Sequence, residues 1–323
     1  MLTLSRKAFL ASLPLIPGSL ARAAAPAPLP QNRNVKWALS LALWKYYPRG
    51  PFGGVLDVMQ QTGFTGIRLT SFPGFLREYG LSADSLRGQL QDRGLHAVSI
   101  SWNAPLQDPA RRQECLESAR TAIRFLAGLG ASHLVVFSPD RARPGAGTPE
   151  GYRSLYERCN EIGRIARDLG FTAGLHNHWG QMVQNPDEID RFMDAVDPEL
   201  FGLSPDTAHL NLAGCDVVGT LDKYKERIHF LDYKDSRWTT PAADVVQPNG
   251  KVLKRDSGEA KFFSSIYDLG DGQVDFPGCH RVLRSVPYRG WVCVDLDTAR
   301  RGILASYRHC DAYITNRLEP IYV

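Results

Sequence analysis

The sequence predicts a single (β/α)₈ barrel, on three observations. Short apolar runs of strand character alternate with helix-like segments eight times along the chain. Four helical segments hand over to the next strand through a glycine, at Gly63, Gly94, Gly130 and Gly170, which is the helix C-cap use of glycine repeated as a βα unit requires. No glycine-rich phosphate turn follows the first strand, as an open doubly wound sheet would need. Eight such units close into a barrel.

The elements follow in order. Val35 to Leu43 is a nearly continuous apolar run, as expected of a strand covered on both faces. A helix over Val55 to Gln61 leads through Gly63 to a second strand ending at Leu69. A helix over Ser82 to Arg93 precedes the strand that ends at Trp102. A charged-faced helix over Pro109 to Leu129 then precedes His133 to Phe137. Pro149 to Leu169 is helical and Phe171 to His176 is strand five. Strands six, seven and eight are read at Leu200 to Leu203, Ile228 to Lys234 and Gly290 to Asp295, with a closing helix over Arg301 to Asn316. Ser236 to Gly272 is too long for an ordinary βα loop, and it follows strand seven on the face where barrels carry function. Gly270-Asp271-Gly272 reads as the turn by which that segment re-enters.

The first residues stand apart. Arg6 and Lys7 lead into an apolar stretch and then Ala21-Arg22-Ala23-Ala24-Ala25, so residues 1–25 read as a secretory signal peptide of twin-arginine or Sec type. Residues 26–33 are then a flexible lead-in, residues 34–323 the barrel, and the expected location is the periplasm. The apolar stretch is too short to span a bilayer, so no stable membrane anchor is expected. A net charge of +4 without basic runs among aromatics excludes nucleic-acid binding as an expectation. The six cysteines include no C-x-x-C pair, so the sequence names no disulfide.

Barrel function sits where strands end. Strand five ends in His176-Asn177-His178, strand six runs into Asp206-Thr207-Ala208-His209, strand seven carries Asp232-Tyr233-Lys234, and strand eight ends in Asp295-Leu296-Asp297. Alternation puts Asp232 with Lys234, His176 with His178, and Asp295 with Asp297 on shared faces. An Asp inside an apolar strand is costly unless paired or metal-bound; Lys234 is the partner the sequence offers Asp232. His176, Asp206, Asp232 and Asp295 together make a mostly oxygen set suited to one Mn²⁺, Mg²⁺ or Co²⁺. Such an ion would stabilise the enediolate formed when a proton leaves carbon beside a carbonyl. His178, His209, Lys234 and Arg237 are left to bind hydroxyls or move protons. Trp44 and Trp102 at the ends of strands one and three either stack on a sugar ring or pack.

Gly174-Leu175-His176-Asn177-His178-Trp179-Gly180, Asp206-Thr207-Ala208-His209, His229-Phe230-Leu231-Asp232-Tyr233-Lys234-Asp235 and Gly290-Trp291 carry a resemblance. From about Phe171 to Asp297 the chain resembles the xylose isomerase-like barrels often labelled sugar phosphate isomerases/epimerases, with the look of the inosose dehydratase branch. The resemblance implies one divalent metal held at the ends of strands five to eight, usually by Glu, Asp, His and Glu. Here His176, Asp206, Asp232 and Asp295 stand in those places, and only Asp206 keeps the common type. His176, Asp295 and Lys234 are the expected catalytic groups.

The expectation that follows is metal-assisted proton abstraction beside a carbonyl, with isomerisation or epimerisation as the family's label. Elimination of water or an alcohol from a keto-sugar or inosose competes with it, as does a silent carbohydrate-binding barrel. The expected partner is a small non-phosphorylated sugar or cyclitol, since an exported protein does not ordinarily meet sugar phosphates. Barrels of this kind often pair, so a homodimer is compatible with the reading.

Overall fold

The computed structural model describes residues 34–322; the expectations for residues 1–33 lie outside the described residues. Eight parallel strands curl into a TIM barrel: β1 Val35–Ser40, β2 Gly66–Leu69, β3 His96–Trp102, β4 His133–Phe137, β5 Thr172–His176, β6 Gly202–Leu203, β7 Leu231–Tyr233 and β8 Gly290–Val294. Their neighbour order is β6-β5-β4-β3-β2-β1-β8-β7. The last seam is closed by two parallel bridges, Leu203 with Ile228 and Asp206 with Asp232. Across it the amides of His229 and Asp232 donate to the carbonyls of Leu203 and Pro205 at 3.1 and 2.8 Å. The seam is thin because Pro205 has no amide hydrogen to extend the ladder.

The strands bury apolar residues on both sides, as the unbroken apolar runs require. Val35, Trp37 and Leu39 of β1 pack with the outer helices, whereas Ala38 lies with Val98, Val135, Phe230 and Cys293 inside the barrel. Strand one is shorter than its apolar run. The Ser40 hydroxyl accepts the Ala42 amide at 3.1 Å and turns Leu41–Tyr46 into a 3₁₀ helix, whose Leu41, Ala42 and Leu43 stay buried. Gly63, Gly94, Gly130 and Gly170 take φ of +74°, +64°, +78° and +74°, the left-handed conformation that glycine adopts without Cβ strain.

Helices Pro186–Ala195, Thr207–Leu212, Val217–Tyr224 and Phe276–Ser285 complete the outer ring. The first carries a capping box: Asn185 accepts the Glu188 amide while Glu188 accepts the Asn185 amide. Six buried cysteines are all free thiols. No helix of the described residues is long and apolar enough to cross a membrane.

The segment after β7 is ordered. Asp235–Ser236 pairs antiparallel with Ile266–Tyr267, Val245–Val246 pairs with Val252–Leu253, and Gly258–Ser265 is a helix over the mouth. Its return is tied to one carboxylate. Asp235 accepts the amides of Gly270, Gly272, Val274 and Ser236 at 2.9, 2.8, 3.1 and 2.8 Å. A Cβ on Gly272 would lie 2.2 Å from Asp235 Oδ1. The glycines there make the turn, as the sequence suggests.

A candidate active site at the barrel mouth

Strand parity holds at the mouth. Asp232 and Lys234 point inward, while Tyr233 between them points outward and meets His280 Nδ1 at 3.1 Å. Asp206 sits where β6 gives way to helix Thr207–Leu212. Its Oδ1 accepts the Ala208 and His209 amides at 2.9 and 3.1 Å as the helix N-cap, which aims Oδ2 into the barrel. Asp295 and Asp297 follow β8. All four carboxylates are buried.

Two buried cations organise them. Lys234 Nζ lies 3.2 Å from Asp206 Oδ2, 2.7 Å from Asp295 Oδ2 and 2.8 Å from Asp297 Oδ2. Arg68, on β2, reaches across the barrel. Its Nε is 3.1 Å from Asp232 Oδ1 and its Nη2 is 2.8 Å from Asp295 Oδ2, while Ser40 and Ser101 accept from its other N–H groups. Asp297 also accepts from the Tyr46 hydroxyl at 3.1 Å and lies 3.8 Å from Lys45 at the rim.

Three histidines face this cluster. His176 Nδ1 is 3.2 Å from Asp232 Oδ2, and its Nε2 is 4.0 Å from Asp206 Oδ2. His209 Nε2 is 3.9 Å from the same oxygen and 3.5 Å from Lys234 Nζ. His178 lies against His209 with ring centroids 3.8 Å apart. Phe262, from the helix over the mouth, stacks on His209 at 5.1 Å.

Burial raises the carboxyls, and neighbouring charges decide which stay raised. Asp206 is pushed up to about 6 and Asp232 to about 7 by burial, with Lys234 and Arg68 respectively opposing. For Asp295 the same burial is outweighed by Arg68 and Lys234, which hold it well below the usual carboxylate range. Burial also works against the Lys234 ammonium, but Asp206, Asp295 and Asp297 outweigh it and keep the group protonated. Burial pushes His176 down to about 3 and His209 well below its usual range, so both rings are neutral near pH 7.

The structure thus gathers His176, His178, Asp206, His209, Asp232, Lys234 and Asp295 of the sequence-derived set. It corrects some partners. Asp232 pairs with Arg68 rather than with Lys234, because Arg68 reaches it from β2 while Lys234 turns to the other three acids. Trp102 is buried with its indole N–H on Ser118 of helix Arg112–Gly128 at 3.1 Å, and Trp44 stacks on Tyr307 of helix Ile303–Tyr313. Both pack against the outer ring. Arg237 lies over the Tyr267 ring at 4.7 Å with its Nη2 donating to the Tyr267 hydroxyl, so the loop's own aromatic holds it. Arg68 and Phe262 are the mouth residues that sequence reasoning missed, whereas Tyr46 was among the aromatics it placed after strand one. Arg68 had a signal: the argument that flagged a charge inside apolar strand seven applies equally to Gly66-Ile67-Arg68-Leu69.

Among the described residues, His176, Asp206 and His209 bring one ligand atom each to within 4.8 Å of one another, a group that could hold a metal ion. Asp232 and Asp295 are not in it, since Arg68 engages both. The fit is good for two of the three. Asp206 Oδ2 is buried and has no partner beyond its 3.2 Å ion pair with Lys234 and the two imidazoles about 4 Å away. Asp232 beside His176 Nδ1 favours the proton there, leaving the Nε2 lone pair toward Asp206. His209 Nδ1 accepts the Trp179 amide at 3.2 Å, so its Nε2 carries the proton and ligates only once that bond is exchanged. Charge favours an ion as well: four buried carboxylates face two buried cations.

A family model described as xylose isomerase-like TIM barrel matches residues 56–313. An inosose dehydratase from Clostridium beijerinckii is 32% identical over 262 residues, covering 76% of this chain and 82% of that protein. A probable 3-DHS dehydratase from Bacillus anthracis superposes with a TM-score of 0.69 at 14% identity, covering 87% of this chain and 99% of its own. An IolI protein with a binding zinc atom superposes with a TM-score of 0.63 at 14% identity, covering 88% of this chain and 96% of its own. At these identities the two structures bear on the fold alone.

Proposed function

The chain belongs to the xylose isomerase-like TIM barrel family, and from that premise we propose that it is a lyase of the dehydratase kind, removing water or an alcohol from a neutral keto-sugar or keto-cyclitol. One observation carries the choice: Asp295 is locked between Arg68 and Lys234, 2.8 and 2.7 Å away. Epimerisation by two bases needs a second group that returns a proton to the opposite face of the carbon. Asp295 stands in that place and is held as a carboxylate by two cations. A site that serves one face suits abstraction of the proton beside the carbonyl, followed by loss of the oxygen on the next carbon. The dehydratase names of the curated relatives agree with this reading.

His176 and Asp206, with His209 beside them, are the residues that would hold a divalent ion. Two imidazoles and one carboxylate favour Co²⁺ or Zn²⁺ over Mg²⁺, which moves the choice of ion away from the hard set expected from four acids. A bound ion supplies Lewis-acid polarisation of a carbonyl oxygen. Lys234 keeps Asp206, Asp295 and Asp297 converged by its three contacts. The signal-like residues 1–25 make the working location the periplasm in this proposal.

The test is incubation of the mature protein with keto-inositols and keto-sugars in D₂O, followed by mass and ultraviolet spectra. The expected product is lighter by one water or alcohol and absorbs as a conjugated ketone. An epimer of unchanged mass, formed with solvent deuterium at the inverted carbon, would overturn the lyase assignment in favour of an epimerase.

A further inference from the structure

A cavity of about 500 Å³ opens at the end of the barrel opposite the charged mouth, a size that small-molecule sites share. Its wall is made where strands begin: Lys36 on β1, Val98 on β3, His133 on β4, Thr172 on β5 and Trp291 on β8, with His229 just ahead of β7. Two residues further along their strands come Ala38, Val135 and Cys293, buried with Phe230. That apolar layer separates the cavity from Asp232 and Asp295.

Two glycines keep this end open. A Cβ on Gly66 would lie 2.6 Å from the Trp291 ring, and one on Gly202 would lie 2.0 Å from the His229 ring. Without a Cβ, each backbone lets a ring come close. The two rings lean apart: Trp291 on β8 passes β1 to reach β2, while His229 leans the other way, to β6. The space between them is left unfilled, where a packed barrel would place side chains. His133 is a fixed wall, with its ring nitrogens 2.7 and 2.8 Å from the hydroxyls of Thr172 and Ser204.

The rim is basic. Lys36 Nζ stands 5.5 Å from the centre of the Trp291 ring, and Lys225 and Arg289 line the same cavity with the acid Glu226. Lys225 is engaged by Asp222 at 2.9 Å. Among the described residues, Lys36 and Arg289 pair with no carboxylate. Residues 1–33 contain Arg6, Lys7, Arg22 and Arg33 but no Asp or Glu, so their side chains bring no charge to neutralise this rim.

We propose that this end of the barrel binds a small organic dianion, whose carbon body packs against Trp291 and whose acidic groups meet Lys36 and Arg289. Two unpaired cations call for two negative charges, and a guanidinium pairs with carboxylate and phosphate alike. The shared chemistry is therefore a dicarboxylate or a phosphate monoester. Barrels carry their chemistry at the other face, so this ligand is held rather than transformed, and holding it stabilises the fold. The site is independent of what the mouth does.

The test is titration of the nitrogen-15-labelled mature protein, following the Trp291 indole resonance, which is assigned by its absence from Trp291→Phe. Phenyl phosphate and phthalate should shift it to saturation below about 1 mM, with inorganic phosphate about 10-fold weaker and benzyl alcohol without effect. Saturation by only one of the two dianions names the acid as phosphate or carboxylate. Lys36 and Arg289 are exposed, so Lys36→Gln with Arg289→Gln spares the core; it should weaken binding by about 10- to 100-fold. A Trp291 resonance that stays still up to about 10 mM of both dianions would overturn the proposal. So would benzyl alcohol or inorganic phosphate binding as tightly as the dianions, or equal affinity in the double variant.

Discussion

Arg68 on β2 and Asp295, the residue after β8, lie 2.8 Å apart, Nη2 to Oδ2, both buried, and β1 separates the two strands in the barrel wall. The contact spans the space where sequence reading expects a metal to gather Asp232 and Asp295. A guanidinium with two carboxylates in reach fills that role as a fixed cation. Arg68, Asp232 and Asp295 therefore belong to one buried arrangement.

Arg68→Met leaves two buried carboxylates without their partner, and removal of one member of a buried ion pair costs about 3–5 kcal/mol. The expected result is a midpoint of urea unfolding well below wild type at pH 7. Adding Asp232→Asn to Arg68→Met should recover a measurable part of the loss, because the orphaned charge goes with it. A double variant no more stable than the single one would contradict the pairing.

Metal binding should divide the acids. Calorimetric titration with Zn²⁺ or Co²⁺ is expected to give one site per chain, lost in Asp206→Asn. Asp232→Asn should weaken it by about 10- to 100-fold through the orientation of His176, and Asp295→Asn should leave it within a few-fold. Loss of the ion on replacing Asp295 would instead place that residue among the ligands.

Much of this mouth was legible beforehand, and the reason is periodicity. Alternation along β7 and after β8 puts Asp232, Lys234, Asp295 and Asp297 inside, because a strand has only two faces. Chain-distant pairing was not legible. Nothing local in Gly66-Ile67-Arg68-Leu69 says that Arg68 crosses the barrel to Asp232, 164 positions later in the numbering. Trp44 and Trp102 stayed open between stacking and packing because residues at strand ends can turn to the mouth or to the outer helices, and Ser118 and Tyr307 hold their rings on the packing side. His178 and His209 were visible as residues, but the Trp179 peptide that meets both rings is placed only by the fold.

The raised carboxyl of Asp232 gives a pH dependence with a definite sign. Its folded pKa of about 7 lies above the ordinary carboxylate value, so folding favours its protonated form. That contribution is full below the ordinary value and is lost as pH rises through 7. Wild type should therefore lose stability relative to Asp232→Asn between about pH 4 and pH 7. Comparing the two proteins at each pH cancels the buried histidines, whose lowered values act in the opposite direction over the same range. A difference that grows in favour of wild type as pH rises would show that Asp232 is held ionised by Arg68.

Gly272 tests how the segment after β7 is tied down. A methyl group there would come 2.2 Å from Asp235 Oδ1 and displace a carboxylate that accepts four backbone amides. Buried amides left without an acceptor cost about 1–3 kcal/mol each, so Gly272→Ala should loosen the return of the segment more than it disturbs the barrel. The expected readout is faster limited proteolysis between residues 237 and 272 with the barrel core still protected. Because Phe262 on that segment stacks on His209 at 5.1 Å, the loosening should also reach the mouth and raise hydrogen exchange at the Trp179 amide. Proteolysis unchanged from wild type would mean that the ladder between Asp235–Ser236 and Ile266–Tyr267 holds the segment without the carboxylate.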